Sequence, residues 1–158
     1  MAVKNMGLTL GAGVVFAAIA LIPAGLANSS AASTPLAKSC AVLDVIGTDR
    51  TDGLAPLFAD LGAHWPKENR EGLINRLTEL LGALDFAGGN VYLLNKFGDD
   101  LEEHLVLLRL AGGEVAGMRL RYEWTPAGMK LVTVNFERKY QDYVPDVAGG
   151  SFQKLPCL

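Results

Sequence analysis

The chain lacks a cluster of basic residues and has only two cysteines and two histidines. Its 158 residues include 14 Lys and Arg against 17 Asp and Glu, a formal net charge of −3. The largest basic group, Arg138-Lys139, directly follows Glu137, so no nucleic-acid-binding surface is predicted. His64 and His104 lie far apart, without the ligand spacings of known metal sites. We therefore expect no bound metal and no cofactor.

The chain also lacks the short motifs of common catalytic and phosphate-binding sites. The serines at positions 29–33 have no nucleophile-elbow context, and the glycine pairs do not have phosphate-loop spacing. Four of the five residues at 99–103 are acidic. A calcium loop needs a longer ligand series bent by a glycine, so this acidic group is predicted to form a solvated hairpin turn.

The first 31 residues have the composition of an export signal. Lys4 precedes an uncharged apolar run over residues 6–26, and small residues follow directly. The run is also long enough to cross a bilayer as a retained anchor, but the small-x-small patterns after it favour cleavage. Either way the remaining chain lies outside the cytoplasm, periplasmic or secreted, and meets the membrane only through an uncleaved leader.

The two cysteines, Cys40 and Cys157, lie near opposite ends of the exported chain. In an oxidising compartment an even pair is most simply a disulfide. Two free thiols and a metal site are the alternatives, and the metal site has the least support because no histidine has a suitable spacing.

Hydrophobic periodicity predicts three helices followed by four strands. Helical spacing occurs over residues 36–46, 54–61 and 67–84, and the third helix has a stripe of leucines on one face. After Gly89 the period changes to two, which predicts strands over residues 90–97, 101–110, 117–125 and 129–140. Short turns between them indicate an antiparallel meander.

Helices grouped before an antiparallel sheet predict an α+β domain of two layers over residues 36–144. We expect the third helix to lie across the concave face of a curved four-stranded sheet. Its Leu77 and Leu81 would then oppose Trp124. The Gly- and Pro-rich residues 145–158 are predicted to form an irregular tail.

The helix ending at residues 80–84 and the strands at residues 118–124 and 129–136 resemble the nuclear-transport-factor-like superfamily. This superfamily has an α+β cone fold, and the likeness is to its small secreted bacterial members of unassigned function. It covers about residues 36–144. Family enzymes use Asp, His and Tyr residues lining the cone, and no set of residues here matches such a motif. The resemblance therefore implies a cone-like fold with a binding or assembly role.

Three residues are predicted to face a ligand: Tyr122, Trp124 and His104. His104 shares a strand face with three apolar residues, so it either lines the cone beside Tyr122 or lies solvated at the strand mouth. The solvated position is favoured because Glu102 and Glu103 are its neighbours. Tyr122 and Trp124 are most simply core aromatics that border any cavity.

The leading hypothesis is an extracytoplasmic, non-enzymatic module that binds a small apolar ligand or a partner protein. One alternative is a lyase or isomerase that uses His104 and Tyr122 in a cone pocket. Another is a structural homodimer formed through the outer sheet face, which carries charges of both signs. The charged and polar residues of that face are Arg119, Arg121, Glu123, Thr133, Asn135 and Glu137.

Overall fold

A computed structural model describes residues 34–49, 51–137 and 152–157 of the chain. The export signal predicted for residues 1–31 lies outside the described residues, as do residues 138–151. The described helices are α1 (Pro35–Thr48), α2 (Leu54–Leu61) and α3 (Lys67–Gly82), and the strands are β1 (Phe86–Phe97), β2 (Leu101–Leu110), β3 (Val115–Thr125), β4 (Gly128–Glu137) and β5 (Gln153–Leu155). None of these helices combines the length and apolar character needed to span a bilayer.

Local chemistry explains where the helices begin. The Thr34 hydroxyl accepts a hydrogen bond from the Ala37 amide at 3.2 Å, and Pro35 occupies the first turn of α1. Pro66 directly precedes α3. These signals place all three helices close to the predicted ranges, and α2 matches its predicted range at both ends.

The sheet is antiparallel throughout, with strand order β4-β3-β2-β1-β5. The meander of β1 to β4 is confirmed, but the sheet has five strands and the prediction of four is wrong. The fifth comes from the tail that was expected to be irregular: Leu155 pairs with Val91, and the Phe152 ring lies edge-on to Tyr92. Three residues are too few to show an alternating pattern, so periodicity could not predict this strand.

α1 covers the sheet, making contacts with β1, β2 and β4, whereas α3 packs mainly on α2. The expectation that α3 lies across the sheet is therefore wrong. Gly89 on β1 permits the close approach of α1, because a Cβ there would lie 2.6 Å from both the Leu107 carbonyl oxygen and a Leu43 methyl group. α3 is rich in charged residues, and its buried residues are Leu77 and Leu81.

The core lies between the helices and the inward face of the sheet. Alternation along β3 buries Met118, Leu120 and Tyr122 in turn, and the next inward residue, Trp124, is 59% exposed. Contrary to the expectation from the sequence, Trp124 does not oppose Leu77 and Leu81. The largest buried apolar side chains contributed by the helices and by the sheet are Phe58, Ile46, Leu54, Leu77, Leu108, Met118, Leu120 and Leu131.

The disulfide between Cys40 and Cys157 is confirmed, and it joins α1 to the segment that follows β5 across a sequence separation of 117. On the sheet face opposite the helices, Arg119 forms an ion pair with Glu103: Nε lies 2.8 Å from Oε1, and Nη2 donates to Oε2 at 3.3 Å. Arg121 pairs with Glu123 at 2.8 Å. Charges on this outer face are thus partly neutralised within the chain.

Candidate functional site

Four polar side chains form a continuous hydrogen-bonded chain beneath α1. The Ser39 hydroxyl lies 2.8 Å from His104 Nδ1 and 2.8 Å from the Tyr122 hydroxyl oxygen. On the other side of the imidazole, His104 Nε2 lies 2.8 Å from Glu102 Oε1. Ser39, His104 and Tyr122 are 0% exposed. We call these four residues the buried polar chain.

Secondary structure brings the four residues together. Ser39 lies on the sheet-facing side of α1 with Val42 and Ile46, at the three- and four-residue spacing of one helix face. Glu102 and His104 are two residues apart on β2 and so share one sheet face. Tyr122 on β3 pairs directly with Glu102. The buried polar chain therefore links α1 to two central strands.

The direction of each hydrogen bond follows from the chemistry of the carboxylate. An ionised Glu102 only accepts, so His104 Nε2–H donates to it and Nδ1 is the acceptor of a neutral imidazole. Ser39 O–H then donates to Nδ1, and the Tyr122 hydroxyl donates to Ser39. With this arrangement every donor in the buried polar chain has an acceptor.

Protonating His104 would reverse that order. Nδ1–H would donate to Ser39, and either the Ser39 or the Tyr122 hydroxyl proton would then have no acceptor within the buried polar chain. Burial already lowers the pKa of His104, against the opposing effect of the Glu102 hydrogen bond and charge. Burial likewise raises the pKa of the Tyr122 phenol well above its ordinary value. Burial therefore favours the neutral form of both groups.

Ser39, His104 and Glu102 are arranged in the order of a nucleophilic triad, but a substrate cannot reach the serine. The Ser39 side chain has no exposed surface, and its oxygen is hydrogen-bonded on two sides. A nucleophile needs space for the attacked atom about 3 Å from its oxygen. The hydrogen bonds of the buried polar chain satisfy four polar groups in the core and hold α1 against the sheet.

An open cleft lies at the end of the sheet next to the start of α1. Its volume is about 390 Å³, within the range of small-molecule sites. Trp124 and Met129, which face each other across β3 and β4, form part of its wall. The other lining residues are Pro35, Lys96, Gly98, Asp99, Asp100, Leu101 and Glu102. We call this the Trp124 cleft.

Glu102 joins the Trp124 cleft to the buried polar chain. Its side chain is 18% exposed; Oε1 contacts His104, and Oε2 lies 3.3 Å from the Lys96 ammonium nitrogen. At the same end of the fold, the Lys38 ammonium donates to the Met129 carbonyl oxygen at 2.8 Å and holds α1 to β4. One wall of the cleft is thus fixed by the same contacts that position α1.

A second space, between the helices and the sheet, is much smaller than the Trp124 cleft. A void lined by Ile46, Leu81 and Leu108, among others, measures about 10 Å³, no more than is needed to hold one water molecule. Among the described residues, no group of three or more His, Cys, Asp or Glu side chains could hold a metal ion. A ligand therefore has room in the Trp124 cleft rather than in this void.

The structure separates the three residues predicted to bind a ligand. Trp124 lines the open cleft, whereas His104 and Tyr122 lie behind Glu102 with ring centroids 5.6 Å apart. The favoured solvated position for His104 is wrong, because its side chain is fully buried beneath α1. His104 lies beside Tyr122 instead, which was the alternative position considered.

The sequence interpretation missed Ser39. Within the predicted first helix, residues 36–46, Leu36, Cys40 and Leu43 also recur at helical spacing but are only half-buried, while Ser39, Val42 and Ile46 are buried. A serine in phase with Val42 and Ile46 was the available signal, because a polar residue on an apolar stripe needs a buried partner.

The neutral state of His104 predicts that acid destabilises the fold. Because the folded-state pKa lies below the ordinary value of 6.5, the His104 contribution is complete above that pH. It is lost as the pH falls towards the folded-state pKa, since only the unfolded chain takes up the proton. The loss is at most about 1.4 kcal/mol for each pH unit. We expect urea unfolding at pH 5.5 to give a lower free energy of unfolding than at pH 7.5.

Two variants assign that pH effect. His104→Gln removes the titrating group and should flatten the difference between the two pH values. His64→Gln is the matched control, because His64 is exposed in a turn and lies outside the buried polar chain. An unchanged pH difference in His104→Gln would contradict the assignment.

No protein-family model matches the chain, and neither curated proteins nor solved structures include a significantly similar one, so the resemblance to the cone superfamily stays a prediction.

Proposed function

We propose that the chain is an extracytoplasmic, non-enzymatic module that binds a small ligand with an apolar body in the Trp124 cleft. The observation that carries this proposal is the position of Trp124: a large aromatic side chain 59% exposed on the wall of a cleft of about 390 Å³. Covering a large aromatic surface that is exposed to water is energetically favourable. Met129, Leu101 and Pro35 add apolar surface beside it.

The proposal that the module is non-enzymatic rests on the inaccessibility of His104 and Tyr122 to a substrate. The lyase or isomerase alternative needs a substrate in contact with His104 and Tyr122, and both are fully buried. The extracytoplasmic part is supported by the Cys40–Cys157 disulfide, since such bonds persist mainly in oxidising compartments. Membership of the cone-like superfamily is also part of the proposal, and the order of the elements, helices before an antiparallel meander, supports it. The homodimer alternative stays a prediction.

Fluorine NMR can test the cleft directly. Incorporating 5-fluorotryptophan gives one resonance each for Trp65 and Trp124, the two tryptophans of the chain, and Trp65→Phe and Trp124→Phe assign them. We expect a panel of indole, benzyl alcohol, cyclohexanol, benzylamine and benzoate to include compounds that shift the Trp124 resonance saturably. Trp65 lies half-buried in the turn between α2 and α3 and serves as an internal control.

The outcome is decided by the two resonances together. Saturable shifts at Trp124 with Trp65 unmoved support binding in the cleft. Parallel shifts of both resonances, or no shift at Trp124 with any compound, would count against the proposed function. Trp124→Ala should abolish binding with little change in the free energy of unfolding, because most of its side chain is already in water.

A further inference from the structure

We propose that the ligand of the Trp124 cleft is a small organic cation, with an ammonium or quaternary ammonium group carried on an apolar body. This inference rests on the proposed function and specifies the chemistry of its ligand. It follows from three properties of the lining: its charge, the pairing of its carboxylates and the type of its exposed aromatic residue.

The lining of the cleft is negatively charged. It contains three carboxylates, Asp99, Asp100 and Glu102, and one ammonium, Lys96. Lys96 pairs with Glu102 at 3.3 Å, and Glu102 also accepts from His104. These contacts occupy the Glu102 carboxylate within the protein.

Asp99 and Asp100 have no such compensation. Both follow Gly98 in the turn between β1 and β2, where Gly98 has a φ of 56°. Neither carboxylate has an ion pair or a side-chain hydrogen bond within the parts of the chain that the structure describes. Two negative charges on the cleft wall are therefore available to a cation of the ligand. An anionic ligand would meet repulsion from both.

Trp124 provides the second half of the recognition. The indole face is the strongest aromatic partner for cations, and it attracts alkylammonium groups without needing a hydrogen bond. A neutral apolar ligand would gain only the contact with Trp124 and Met129. A cation with an apolar body gains that contact together with the attraction of the indole face and of the two aspartates. Charge and aromatic surface on one cleft thus favour the same ligand.

Three probes of one shape separate charge from size. Choline, its neutral isostere 3,3-dimethylbutan-1-ol and the anion 3,3-dimethylbutanoate can be titrated into the fluorotryptophan-labelled protein while the Trp124 resonance is followed. We expect choline to bind about five- to tenfold more tightly than the alcohol, and the anion to bind most weakly. Raising the ionic strength from about 0.05 to 0.5 M should weaken choline binding alone.

A matched pair of variants locates the charge. Asp99→Asn/Asp100→Asn should reduce choline affinity about three- to fivefold and leave the alcohol unchanged. Asp60→Asn/Glu79→Gln removes two negative charges from exposed positions on α2 and α3. It should leave both affinities unchanged.

The results distinguish this inference from the proposed function. Alcohol binding as tight as choline binding, or equal loss of choline affinity in both double variants, would overturn the cationic ligand and leave the cleft as a binding site. Absence of any choline shift would also overturn it. In that case the broader panel of neutral and charged compounds decides separately whether the cleft binds a ligand at all.

Discussion

Replacing Ser39 with alanine is expected to lower the free energy of unfolding by about 2 to 6 kcal/mol. The substitution leaves the Tyr122 hydroxyl without its acceptor and His104 Nδ1 without its donor. Each buried polar group that loses its partner costs about 1 to 3 kcal/mol. Both groups are fully buried, so water cannot replace the serine without opening the contact between α1 and the sheet. Urea unfolding measured at pH 7.5 gives the difference.

Second-site variants separate lost hydrogen bonds from lost packing. Adding Tyr122→Phe to Ser39→Ala removes one of the two unsatisfied groups, so the double variant should be less destabilised than the sum of the single variants. Val42→Ala on the same helix face serves as a packing control, which Tyr122→Phe should not rescue. Strictly additive losses for Ser39→Ala and Tyr122→Phe would contradict a coupled polar chain.

The second large effect is expected from removing the disulfide. Cys40→Ser/Cys157→Ser opens a cross-link between positions separated by 117 residues in sequence. Loop-entropy models give about 4 to 5 kcal/mol for a ring of this size, and measured values are often lower. We therefore expect a loss of about 3 to 5 kcal/mol. The domain should still fold, because the core formed by the three helices and β1 to β4 does not include either cysteine among its fully buried residues.

Hydrogen exchange tests where the structure loosens. β5 pairs with β1 over three residues only, so it should detach when the disulfide is removed. Amide exchange should then accelerate at Val91 and Leu93 relative to β2 and β3, which keep both of their neighbouring strands. A uniform acceleration over the whole sheet, or an unchanged unfolding midpoint, would contradict this account.

Local signals in the sequence predicted most of the helices and strands. The eight residues of α2 and the ten of β2 have their predicted bounds, since turns containing glycine surround them. β1, β3 and β4 begin one to four residues before their predicted starts, because a strand can continue where its neighbour offers a partner. The predicted end of β4, residues 138–140, lies outside the described residues. Val115 and Ala116, for example, pair with Arg109 and Leu108 although no alternating pattern marks them.

The layering was harder to predict, because periodicity identifies an apolar face but not its partner. α3 has the clearest leucine stripe in the sequence, yet α1 covers the sheet. Gly89 on β1 contributes to the packing of α1 on the sheet by allowing close contact with Leu43. A close approach of this kind depends on the three-dimensional arrangement and has no periodic signal.

The candidate site was predicted only in part. Alternation left two positions for His104, inward beside Tyr122 or solvated at the strand mouth, and the structure shows the inward position, which was not the favoured one. The position of α1 over the sheet decides which inward residues are covered, and that position was not predicted. As a result the burial of His104, the exposure of Trp124 and the role of Ser39 could not be predicted from the strands alone.

The strand order has a consequence for the sequence of folding events. Hairpins β1–β2, β2–β3 and β3–β4 join neighbours in the chain, whereas β5 and Cys157 pair with elements that lie much earlier in the sequence. Local hairpins form in microseconds, while thiol oxidation takes seconds to hours. If β5 does not pair with β1 without the disulfide, as expected above, the outer edge of β1 stays open in newly folding chains until the cysteines oxidise. During that interval an unpaired β1 edge can template association between chains, so the rate of oxidation sets the period in which this protein is most prone to aggregate.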